Sequence, residues 1–139
     1  MSWNSYIDTV KAYSRDATGK EHIDKVCIIG LDGVRYTDDT HPSSLKVTPN
    51  EVDTITRCMK SKDFTIFHTS GVIVETITFT FLREMDEKIV YAKKKDYGSI
   101  TIQATDKVIV IAHTAEGAQQ GNSNGGVQKI CDYLESVGY

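Results

Sequence analysis

The spacing of apolar residues changes period along this chain, and each period predicts an element. Over residues 2–13, Trp3, Tyr6, Ile7 and Val10 recur at the i, i+3, i+4, i+7 spacing of one helical face, which predicts an amphipathic helix. Residues 14–24 are polar, contain Gly19 and predict a loop with at most a short helical turn. The run Lys25-Val26-Cys27-Ile28-Ile29-Gly30 is short and continuously apolar, the mark of a strand covered on both faces. Asp32-Gly33 then supplies a tight hairpin turn, with residues 34–38 returning as a second strand before a loop around His41-Pro42. Thr48-Pro49-Asn50-Glu51 starts a helix: a hydroxyl to cap, proline at the first helical position and a glutamate to complete a capping box. That helix runs to about residue 60 with Val52, Ile55 and Met59 on one face.

From 64 to 113 the pattern predicts strands at 64–69, 72–83, 88–94, 99–105 and 107–113, joined by very short links. Such links make neighbours antiparallel, because parallel strands need crossovers of roughly a dozen residues or more. Along 72–83, Ile73, Ile77, Phe79 and Phe81 fall on one face, and Val72, Val74, Thr76, Thr78 and Thr80 on the other. Val108-Ile109-Val110-Ile111-Ala112 has no polar face and belongs at the centre of the sheet. Residues 116–126 form a Gly/Gln/Asn-rich loop, followed by a helix with Val127, Ile130, Cys131, Leu134 and Val137 on one face and a stop at Gly138. The fold class is α+β. It is a central antiparallel sheet of about six or seven strands with N- and C-terminal helices on one face and an internal helix on the other. Without repeat or linker, residues 1–139 read as a single domain.

Composition narrows the functions. A charged fraction of 25% beside 40% hydrophobic residues suits a soluble globular protein. No apolar run approaches the ~20 residues that cross a bilayer. The first residues lack the basic flank and apolar stretch of a signal peptide, so a cytoplasmic location is expected. Cys27, Cys58 and Cys131 are odd in number and far apart, a poor disulfide framework. His22, His41, His68 and His113 are scattered without ligand spacing, so neither metal nor cofactor is expected. A net charge of −3 argues against nucleic acid as a partner. No nucleophile elbow, His-Glu-x-x-His or paired-carboxylate motif suggests an enzyme.

Both ends of the chain are aromatic, with Trp3, the sole tryptophan, and Tyr6 at one and Tyr133 and Tyr139 at the other. Chain ends are usually polar and frayed. Two terminal helices lying side by side would merge these rings into a shallow surface suited to an extended proline-rich segment. The alternative is that Trp3 and Tyr6 continue the stripe of Ile7 and Val10 into the core. Tyr133 and Tyr139 fall off the apolar face of their helix, whereas Leu134 lies on it.

Several motifs in order resemble the profilin family over essentially the whole chain. They are Ser2-Trp3-Asn4-Ser5-Tyr6-Ile7-Asp8, Ile29-Gly30-Leu31-Asp32-Gly33 and Val47-Thr48-Pro49-x-Glu51, then Tyr91-x-Lys93-Lys94, Gly98-Ser99-Ile100-Thr101-Ile102 with Thr105, and Asp132-Tyr133-Leu134-x4-Tyr139. The resemblance implies a non-enzymatic protein that binds monomeric actin on one face and proline-rich proteins, such as formin-like elongation factors, on another. Many members also bind phosphoinositides at membrane surfaces. A polyproline II helix offers flat rings and outward carbonyls, which Trp and Tyr meet with an apolar plane and a donor.

By resemblance the polyproline surface is Trp3, Tyr6, Tyr36, Tyr133, Leu134 and Tyr139, with Tyr36 where the family usually carries tryptophan. The implied actin surface is Arg83, Lys93, Lys94, Ser99, Ala118, Gly121, Asn124 and Lys129. Its charges would chiefly steer encounter. The family often differs in side chain at Ser99, and Lys129 reverses the charge of well-known members. Gly121 and Asn124 have a second reading as helix-start chemistry. Lys93, Lys94 and Lys95 are the implied phosphoinositide contacts, or else a solvated strand end. Residues 14–24 and Lys60-Ser61-Lys62-Asp63 are longer than a compact member needs. A rival reading is a scaffold or trafficking module of the same architecture that binds neither actin nor polyproline.

Overall fold

The computed structural model describes residues 2–139. In chain order the elements are α1 (Ser5–Tyr13), β1 (Ile23–Gly30), α2 (Pro49–Ser61), α3 (Thr65–Ser70), β2 (Val72–Val74), β3 (Ile77–Met85), β4 (Ile89–Lys94), β5 (Gly98–Ala104), β6 (Val108–Ala115) and α4 (Gln120–Ser136). The strands form one antiparallel sheet in the order β1-β6-β5-β4-β3-β2. Alternation along the edge strand β1 and its neighbour β6 divides the core in two. Val26, Ile28, Val108, Val110 and Ala112 point to Ile7 and Val10 of α1 and to Val127, Ile130, Cys131 and Leu134 of α4. Cys27, Ile29, Ile109 and Ile111 point the other way, to Val52, Ile55 and Met59 of α2 and Phe67 of α3. Both terminal helices therefore share one face, as the aromatic ends require.

The Thr48 capping box forms as the sequence indicates. Its hydroxyl accepts the Glu51 N–H at 3.3 Å while a Glu51 carboxylate oxygen accepts the Thr48 N–H at 3.1 Å. The Glu51 side chain, 7% exposed, also receives the N–H groups of Glu75 and Thr76, each at 2.8 Å.

Four local expectations are corrected. Residues 34–38 do not form a strand: the Gly30 N–H closes a turn onto Val34 O at 2.7 Å. Beyond an isolated bridge at Arg35 the chain is held to β1 at Ile28 alone, whose carbonyl accepts the Tyr36 and Thr37 N–H groups and whose N–H donates to the Thr37 hydroxyl. Residues 64–69 are not a strand either: Phe64 is the N-cap of α3, and 65–69 are all but its last residue. Asp63 accepts both the N–H and the hydroxyl of Thr65, which begins a helical turn, and Phe64 and Phe67 are buried at helical spacing while Ile66 is exposed.

The expected strand 72–83 is two strands joined by Glu75 and Thr76, both left-handed at φ 52° and 61°. This two-residue turn pairs Val72 with Phe79 and Val74 with Ile77. It resets the alternation, so Val72, Val74 and Phe79 share the buried face and Ile73 is exposed. Last, α4 starts at Gln120 in what reads as a glycine-rich loop. Gly126 is needed there because a Cβ would sit 3.0 Å from Ser14 N, so α1 and α4 meet closely at this point. Val137 lies past the final turn and is exposed.

Candidate binding surfaces

Residues 2–4 wind into α1 through i→i+3 bonds, with Tyr6 N–H on Trp3 O at 3.0 Å, and this turn seats the indole beside the first helical residues. The Trp3 ring lies 5.2 Å from Tyr6, 4.7 Å from Tyr36 and 5.0 Å edge-on from Tyr139, and Tyr6 lies 6.1 Å from Tyr133. Five rings thus form one continuous patch with Trp3 at its hub. Trp3, Tyr6 and Tyr36 rest half-buried on the core, while Tyr133 and Tyr139 are exposed. Leu134 is fully buried in the core and has no surface to offer a ligand. The structure corrects its placement: it supports the patch from beneath.

Contacts around the patch hold it in place. Asn4 exchanges two hydrogen bonds with Asp38, donating from Nδ2 to Oδ1 at 2.8 Å and accepting the Asp38 N–H at 3.0 Å, which ties residues 36–40 to the start of α1. A side chain at Gly30 would strike Asp32 and lie 2.9 Å from the Tyr36 hydroxyl, so glycine there leaves room for the ring. Tyr139 N–H donates to Leu134 O, and its main-chain oxygen accepts from Thr105, both at 2.8 Å. Burial raises the pKa of Tyr6 and of Tyr36, reinforced by Tyr133 beside the first and Asp32 beside the second. The phenols therefore remain hydrogen-bond donors at neutral pH.

The residues of the second surface come together less completely. Lys93 and Ser99 are direct partners across β4 and β5 and, with Ala118 and Gly121, border an open cleft of about 360 Å³ between the sheet and the start of α4. Arg83, on β3, does not line this cleft; it pairs with Tyr91 of β4 and holds its guanidinium 5.1 Å above that ring, a stacking partner that the sequence pattern did not single out. Asn124 does not cap α4, whose N-cap is Gln119. It sits in the second turn, where its side-chain carbonyl accepts from Thr101 Oγ1 at 2.6 Å. Gln120 and Gln128, at i−4 and i+4, also reach β5, at Ile100 O and Gln103.

Lys129 instead stands 5.7 Å over the Tyr13 ring at the α1–α4 seam. Lys94 alternates to the opposite sheet face from Lys93, and Lys95 is in the following turn, so the three lysines do not converge. The two surfaces lie toward opposite ends of α4. Gly121 and Tyr133 are separated by roughly 18 Å along its axis at ~1.5 Å per residue.

Among the described residues, no helix is long and apolar enough to cross a membrane, and no group of three or more His, Cys, Asp or Glu side chains could hold a metal ion. The family model described as Profilin matches residues 1–139. The profilin of Clypeaster japonicus is 52% identical over 139 residues, covering 99% of each chain. The crystal structure of Acanthamoeba castellanii profilin II superposes with a TM-score of 0.80 at 26% identity, over 99% of this chain and all of that one. Mouse profilin IIa, in a complex with a double repeat from the FH1 domain of mDia1, shares the fold with a TM-score of 0.69 at 20% identity, over all of both chains. The chain belongs to the profilin family, a family of actin-binding proteins that are not enzymes.

Proposed function

We propose that this chain acts as a single cytoplasmic domain that couples monomeric actin to proline-rich segments. The proline-rich ligand lies across Trp3, Tyr6, Tyr36, Tyr133 and Tyr139. Actin meets Arg83, Lys93 and Ser99 of the sheet together with Ala118, Gly121 and Asn124 of α4. Lys94 and Lys129 stand at the margins of that contact. Mouse profilin IIa, with its FH1 repeat, supplies the precedent for the first ligand. The observation that carries the reading is the hub of three aromatic contacts around a half-buried tryptophan at the junction of α1 and α4. Packing for stability alone would not leave Tyr133 and Tyr139 exposed beside it.

The two surfaces need not compete, so one molecule can hold an actin monomer and deliver it to a proline-rich elongation factor. Retention on a polyproline column, repeated with Trp3→Ala and Tyr139→Ala, tests the first surface. Wild-type flow-through would end that assignment and favour the scaffold reading. Actin-monomer titration with Arg83→Ala and Lys93→Ala tests the second. Lys93, Lys94 and Lys95 are exposed without ion-pair partners among the described residues. Because they do not converge, a phosphoinositide membrane surface would meet them around the strand end and no single head group would hold all three. Flotation with phosphoinositide vesicles, lost in the triple alanine variant, tests that contact.

A further inference from the structure

We infer that His22 is a positioning residue for the actin-facing end of α4, and that the polar segment 14–24 serves to hold it there; this rests on the assignment of that surface to actin. The first N–H groups of a helix have no partners inside it. The α4 N-cap, Gln119, makes no side-chain cap bond, and three of the first seven residues of α4 are glycine, a weak start for any helix. One N–H at this start, that of Gln119 itself, finds its partner far away in sequence, donating to His22 Nδ1 at 2.8 Å.

Acceptance at Nδ1 places the ring proton on Nε2, which donates to Asp16 Oδ2 at 2.8 Å. Asp16 is itself fixed by the N–H and hydroxyl of Thr18 and by the Lys20 N–H, and these bonds hold its carboxyl well below the usual carboxylate range. The imidazole is 4% exposed, and the His22 carbonyl accepts the Ala115 N–H at 3.3 Å, so the residue bridges the end of β6 to the start of α4.

A second contact completes the bracket. Ser14 Oγ accepts the N–H groups of His22 and Ile23, both at 3.0 Å, and donates to Lys11 O at 2.6 Å, while its backbone packs against Gly126. Residues 14–24 therefore grip α4 on both sides of Gly121 and Asn124. The length of this segment has no role in the aromatic patch. It acquires one as the part that sets the position of the actin-facing turn.

The test is actin-monomer affinity of the full chain with His22→Ala and His22→Asn, alongside polyproline retention and amide hydrogen exchange of residues 119–123. His22→Ala should weaken actin binding about tenfold, equivalent to one hydrogen bond's worth of lost positioning. It should also speed exchange at those amides and leave polyproline retention unchanged. His22→Asn keeps an acceptor close to the Nδ1 position and should restore most of both losses, which a general packing role would not allow. Actin affinity within twofold of wild type in His22→Ala overturns the inference. Should His22→Ala fail to fold, Asp16→Ala, at a less buried site, should show the same selective loss at about threefold, and its absence there is equally fatal. Failure of the wild-type protein to bind actin would remove the surface assignment instead. Exchange at residues 119–123 then decides the positioning role alone, faster exchange supporting it and unchanged exchange overturning it.

Discussion

Trp3→Ala removes the ring that touches Tyr6, Tyr36 and Tyr139 at centroid distances of 5.2, 4.7 and 5.0 Å. Aromatic pairs contribute about 0.5–1.5 kcal/mol each beyond burial. A truncated central anchor weakens binding by about 2 kcal/mol or more, roughly 30-fold in Kd. Some of the loss falls on the fold, since the indole is half-buried. Complete burial would give about 3–5 kcal/mol for truncation to alanine, so about 2 kcal/mol is expected here. The effects are separable. Calorimetry with a proline-rich decamer reads binding, while actin titration on the same preparation confirms that the other surface is intact.

The wild-type protein supplies an internal reporter as well, because Trp3 is its sole tryptophan and any change in indole emission on adding ligand arises at that hub. Tyr133 has one ring neighbour, Tyr6, so Tyr133→Ala should weaken binding by a smaller step of about 1 kcal/mol. A Trp3→Ala protein that binds the decamer within twofold of wild type, or a wild-type titration with unchanged emission, would refute the reasoning.

Three further outcomes are expected. Asp38, whose carboxyl is lowered to about 2 by bonds from Thr40 and Asn4, contributes stability that is present above its ordinary 3.8 and lost as pH falls toward 2. Thermal unfolding across pH 4 to 2 should therefore be less steep in Asp38→Asn than in wild type, and equal slopes would count against the Asn4–Asp38 clasp. Glu51→Ala removes the carboxylate half of the capping box and two turn contacts, while the Thr48 hydroxyl still accepts the N–H of residue 51; the loss is about 3 kcal/mol by charged-hydrogen-bond values, read as a lower Tm. Glu51→Gln should lose less. Cys27, Cys58 and Cys131 are buried free thiols whose pKa values burial raises, that of Cys131 to about 12. An aqueous thiol reagent should titrate none of them in the native protein and all three after denaturation, and one fast native thiol would contradict the packing.

The fold was legible where one physical signal dominated. The unbroken apolar runs of β1 and β6 could be satisfied only by cover on both faces, and Thr48-Pro49-x-Glu51 states its own geometry. It was illegible where distant partners override local preference. Glu75-Thr76 has no glycine or asparagine to announce a turn, and its conformation is held by Glu51. The start of α4 reads as a loop because the price of its glycines is visible and the contact that demands Gly126 is not. Phe64, Ile66 and His68 alternate like a strand, yet the Asp63–Thr65 bonds begin a helix. At the binding surfaces the terminal aromatics could be proposed from their positions alone. Leu134 could not be told from a ligand contact by family pattern, and His22 lies 97 residues from the N–H it receives.

The Glu75-Thr76 turn also bears on timing. Two consecutive non-glycine residues in left-handed geometry, one of them β-branched, disfavour the hairpin in an isolated chain by about 1–2 kcal/mol each. The carboxylate that rescues them arrives only when a helix two dozen residues upstream has docked. This edge of the sheet should therefore close last on the way to the native state, and open first on the way out. Substitutions at Glu51 should accelerate unfolding while scarcely touching the refolding rate, and a refolding limb slowed in proportion to the lost stability would reverse that order.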